Sequence, residues 1–82
     1  MEDQEALRLR ITLDPHVLGG KPTIRGLRLS VEQVLAELAA GVPEQEILEE
    51  YPGLEPEDIR AVLLYAKELV AMERVYPVGQ PA

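Results

Sequence analysis

Gly20-Lys21 has the residue types of a phosphate-cradling loop. The Walker pattern also requires a Gly further upstream, at position 15 here, and a Ser or Thr directly after the Lys. Positions 15 and 22 are both Pro, and no helix signal follows, so that chemistry is excluded. His16 is the sole histidine, and cysteine is absent. A lone His supplies neither a metal cage nor a catalytic triad, and no nucleophile stands near Asp14 and His16 in sequence. The carboxylates Glu44, Glu46, Glu49, Glu50, Glu55, Glu57 and Asp58 lack the alternating spacing and central Gly of a calcium loop. They read as a solvated acidic face that suits a basic partner protein. No catalytic residue, metal site or cofactor is predicted, and the chain is expected not to be an enzyme.

Charge is the most informative global feature. The net charge is −7 over 82 residues, unevenly placed. Residues 7–29 carry Arg8, Arg10, Lys21, Arg25 and Arg28 against Asp14 alone, while residues 30–82 carry eleven carboxylates against Arg60, Lys67 and Arg74. Arg8, Arg10, Lys21, Arg25 and Arg28 are therefore the candidate nucleic-acid contacts, since backbone phosphates are met by Lys and Arg. RNA recognition by stacking is disfavoured. Phe and Trp are absent, and Tyr51, Tyr65 and Tyr76 do not interleave with the basic residues.

The elements that position these residues follow from periodicity and punctuation. Leu7, Leu9, Ile11 and Leu13 alternate with Arg8, Arg10 and Thr12, which predicts a half-buried strand over about 8–13. Residues 23–25 and 27–29 flank Gly26 and predict a tight turn or short hairpin. Ser30 with Gln33 forms a capping box, Leu29 and Val34 are placed for a hydrophobic staple, and Gly41 suits a left-handed cap. These set a first helix at about 31–40, with Val31, Val34, Leu35 and Leu38 as its buried stripe. Pro43 opens a second helix over about 43–50, and Pro56 a third over about 56–73. The last two are joined at helix-turn-helix spacing. A docking helix there would meet phosphate with Glu55, Glu57 and Asp58 at its start, the wrong sign for DNA. The last helix carries a second apolar row, Ala61, Leu64, Tyr65 and Met72. Leu64, Tyr65 and Met72, with Glu49 and Glu50, are the predicted contacts for a partner or a second copy. Residues 1–6 and 75–82 read as flexible ends around one domain over 7–74. The fold class is mainly α: a short N-terminal strand or hairpin followed by a three-helix unit.

The stretch from Asp14-Pro15 through Gly20-Lys21-Pro22-Thr23-Ile24-Arg25-Gly26-Leu27-Arg28-Leu29 resembles the signature of the domain-of-unknown-function 433 family. The similarity runs on through Ala39-Ala40-Gly41, Glu46-Ile47-Leu48-Glu49-Glu50-Tyr51-Pro52, Asp58-Ile59-Arg60-Ala61 and Tyr65-Ala66, about residues 9–70. Leu27 stands where that pattern has Thr, and Glu55 where it has a capping Thr or Ser. The resemblance implies a homeodomain-like helical unit and a VapB-type antitoxin paired with a PIN-like nuclease toxin. The signature itself is open to a structural reading, with Gly for backbone angles, Pro for rigidity and Arg for pairing across a dimer. The expected partners are a second copy of the chain and the nuclease, with DNA binding for transcriptional autoregulation, or a stand-alone adaptor dimer, as the alternatives. No membrane segment or small-molecule cofactor is expected. The longest apolar stretch, 61–66, is too short to span a bilayer, and the expected location is the cytoplasm.

Overall fold

The structure, a computed structural model, describes residues 3–72. In chain order it runs α1 (Gln4–Arg8), β1 (Ile11–Leu13), a 3-10 turn (Leu18–Gly20), β2 (Pro22–Ile24), α2 (Val31–Ala39), α3 (Glu44–Glu50) and α4 (Pro56–Met72). The mainly helical architecture with a small N-terminal β-hairpin agrees with the fold class predicted from sequence. The expected tail over 75–82 and the last residue of the third helix lie outside the described residues.

The N-terminal segment departs from the predicted strand over 8–13. Asp3 accepts the N–H of Glu5 and starts a helix, with Glu5 in the first turn and Arg8 in the last. Acid at the start and base at the end suit the helix dipole. α1 lies on α4 and buries Leu7, whereas Leu9 stays 78% exposed. Alternation over so few residues does not separate strand from helix, because the capping Asp3 and the apolar partner surface decide the matter.

β1 and β2 pair antiparallel, with Ile11 opposite Ile24 and Thr12 opposite Thr23. β2 turns at once. Leu27 N–H donates to the Ile24 carbonyl at 2.7 Å, and Arg25 and Gly26 between them have φ +39 and +74. Positive φ at both central residues is the type I′ arrangement, which matches the twist of paired strands. Residues 27–29, expected as a strand, instead return as a loop held by the Thr23–Ser30 bridge and the Ile24 N–H to Leu29 carbonyl bond.

From Ser30 onward the local signals and the structure agree. Ser30 Oγ accepts the Gln33 N–H at 3.0 Å. Gly41, at φ +85, sits between the Gly41 N–H to Leu38 carbonyl and Val42 N–H to Glu37 carbonyl bonds, a Schellman motif. Ser30→Ala is expected to cost about 1 kcal/mol, measured as a lower urea midpoint with unchanged slope. The core joins Ile24, Val34, Ile47, Ile59 and Val62, all at most 1% exposed. It fastens the hairpin to the three longer helices.

Candidate interaction surfaces

Each predicted basic contact has a definite place in the structure. Arg8 donates to both oxygens of Glu68, from Nε at 3.0 Å to each and from Nη2 at 2.6 Å to Oε2. Arg10 meets Glu55 at 2.8 Å and Asp58 at 2.9 Å. Lys21 meets Glu32 at 2.9 Å. Arg25 forks onto both Asp58 oxygens, at 2.8 and 2.7 Å, and donates to the Gly53 carbonyl at 2.6 Å. Arg28 is exposed and makes no ion pair among the described residues. Four of the five basic side chains thus have a carboxylate partner within the chain.

Asp58 is the hub, and the sequence reading placed it wrongly. It was expected on the solvated acidic face, yet its side chain is fully buried. Burial pushes its carboxyl up, but Arg25, the Glu55 N–H and Arg10 together hold it below the usual carboxylate range. Asp58 occupies the third position of α4, and its Oδ2 accepts the Glu55 N–H at 2.8 Å. That is the acidic arm of a capping box. The Glu55-x-x-Asp58 spacing was the signal available in sequence. Arg25, read as a candidate for pairing across a dimer, pairs inside the chain. Its backbone is left-handed, at a cost on the order of 1 kcal/mol, and from that turn the guanidinium reaches Asp58. The turn and the start of α4 are thereby clasped together.

A second surface is acidic. Glu44, Glu46, Glu49 and Glu50 of α3 are all exposed and meet no cation among the described residues. Tyr51 Oη donates to Glu37 at 2.6 Å. That bond, the Glu50 contact and the Gln33 contact lower the Glu37 carboxyl against the opposing effect of desolvation, whereas Glu50 is raised by sharing with Glu37 and by the nearby Glu46. Like charges crowd here with no cation among the described residues to relieve them. Glu55 and Glu57, by contrast, are paired to Arg10 and Arg60.

A third surface is apolar and belongs to α4. Of the predicted row, Ala61 is buried beside the N-terminal segment, Leu64 and Tyr65 are half-buried, and Met72 is 80% exposed. Leu69 and Val70 are exposed as well. Among the described residues, no group of three or more His, Asp or Glu side chains is placed to hold a metal ion, and no helix is long and apolar enough to cross a membrane.

Comparison with known proteins adds a family. The family model described as "Protein of unknown function (DUF433)" matches residues 11–66. The uncharacterized protein y4eO of Sinorhizobium fredii is 40% identical over 67 residues, which are 82% of this chain and 30% of that protein. The chain therefore spans less than a third of that relative's length. The crystal structure of a DUF433 member from Anabaena variabilis is similar at a TM-score of 0.73 and 34% identity, covering 82% of this chain and 66% of the other. The matched family region begins at β1 and stops short of Leu69, Val70 and Met72.

Proposed function

The chain belongs to the DUF433 family, and from that premise we propose that it is a non-catalytic cytoplasmic binding protein, the antitoxin of a toxin–antitoxin pair, which neutralises a PIN-like nuclease. The observation that carries this reading is the disposition of charge. Arg8, Arg10, Lys21 and Arg25 are paired with Glu68, Glu55, Asp58 and Glu32, so the carboxylates of α3 stand out as a cluster of exposed charge that meets no cation among the described residues. A nuclease holds RNA on a basic surface, and a dense acidic face complements it, raises the encounter rate and competes with the RNA backbone.

DNA binding through the N-terminal segment draws less support. Each phosphate contact by Arg8, Arg10, Lys21 or Arg25 requires an internal ion pair to open, which leaves Arg28 as the ready contact.

The test is co-expression with a PIN-like nuclease, which this reading expects to be encoded beside the chain in its host. Expression of the nuclease alone is expected to arrest growth and cleave RNA, and co-expression to restore both. Unabated cleavage in the presence of an equimolar complex, or no complex at all, contradicts the reading.

A further inference from the structure

Exposure climbs along α4. Ile59, Ala61 and Val62 are at most 1% exposed, Leu69 is 44%, Val70 73% and Met72 80%. Tyr65 stands at the changeover as a ridge between two apolar hollows. One, of about 240 Å³, lies towards β1 and is walled by Ile11, Leu13 and Leu64. The other, of about 360 Å³, lies towards α2 and is walled by Val31, Leu35 and Leu69.

We propose that this face of α4 is where a second copy of the chain docks. Charge is the first argument. At a net charge of −7, two copies repel over most of their surface. This face escapes that repulsion, because it is apolar and its rims are neutralised internally. Arg8 and Glu68 pair at the edge of the first hollow, and Lys21 and Glu32 at the edge of the second. A basic partner is drawn to α3 instead, so the two faces select different occupants.

Shape is the second argument. An interface between identical copies has to be self-complementary, with knobs and hollows on the same patch. Leu13 and Val70 project, at 66% and 73% exposure, from the walls of hollows large enough to take such side chains. The spacing agrees. Val62, Tyr65, Leu69 and Met72 follow a 3-4-3 rhythm, the seam of helix-on-helix packing, which begins in the core and continues into solvent. This inference does not depend on the antitoxin reading, since it concerns the free chain.

Sedimentation equilibrium of the full chain tests it. The unmodified protein is expected to be a dimer at micromolar concentration. Leu69→Asp with Val70→Asp is expected to weaken association at least about 100-fold, because each change acts twice across a two-fold axis. Both residues lie largely outside the core, so the helical circular dichroism should be unchanged. Met72→Asp, more exposed still, is a second variant expected to weaken the dimer if the first perturbs folding. Glu49→Lys with Glu50→Lys is expected to remain dimeric. A monomer at about 100 µM, an affinity within range of weak association, overturns the proposal. So does a dimer that survives both α4 variants, or one that is lost on changing α3.

Discussion

Asp58→Ala is expected to destabilise the protein by about 3 kcal/mol, seen as a large drop in urea midpoint. Removing one partner of a buried ion pair leaves the other charge uncompensated, typically at 3–5 kcal/mol. The lower end applies because Arg10 and Arg25 keep 23% and 32% of their side-chain surface and can turn to water. The loss is nevertheless a large share of the roughly 4–12 kcal/mol expected for a domain of this size. Three connections fail at once: the type I′ turn at Arg25, the N-terminal segment at Arg10 and the capping bond to Glu55. Arg25→Ala is expected to cost less, since Asp58 keeps Arg10 and the Glu55 N–H. The double variant should be less unstable than the summed singles. The pH dependence follows from the depressed Asp58 carboxyl. Its stabilisation is complete above the ordinary Asp value, about pH 4, and is lost as pH falls through the lower folded value. Asp58→Ala should therefore lack that part of the acid-unfolding limb.

Reversing charge at Glu44, Glu46, Glu49 and Glu50 to Lys is expected to weaken binding of the nuclease at least about 100-fold, with fold retained. All four are exposed and meet no cation among the described residues, so no internal ion pair is sacrificed. Glu44 and Glu46 lie in the first turn of α3, where carboxylates suit the dipole, and their loss costs a few tenths of a kcal/mol each. The affinity loss should lie partly in the association rate and shrink as salt is raised, because long-range attraction is screened. Isothermal titration at two salt concentrations reads the affinity loss and its screening, and stopped-flow mixing reads the association rate.

The features legible in sequence were those fixed by neighbouring residues. Ser30 and Gly41 mark helix ends through bonds spanning three to five residues, Pro56 does so through its fixed φ, and the helices fall where those signals place them. α1 escaped because its cap, Asp3, sat in a segment read as a loose terminus, and because the alternation of Leu7 to Leu13 fits a strand equally well. The basic residues were legible by type but not by partner. Arg8–Glu68, Arg10–Asp58 and Arg25–Asp58 join positions 60, 48 and 33 residues apart, and no local pattern records such pairings. Asp58 was hidden for the same reason. An acid in a first turn is usually solvated, and what buries this one is an arginine in a strained turn two elements earlier. The exposed end of α4 was only half legible. Tyr65 and Met72 were placed on an outward row, but Leu69 and Val70 continue the core periodicity in a stretch where the core has already ended.

The most direct test is affinity capture from the native host with two tagged baits in parallel, the unmodified chain and the α3 charge-reversed variant. The eluates are read by mass spectrometry and by RNA cleavage after the bait is dissociated. The expected result is a stoichiometric basic nuclease on the unmodified chain, latent until released, and none on the variant. The same nuclease held equally by both baits, or host DNA without any nuclease on the unmodified chain, would contradict the assignment of the acidic face.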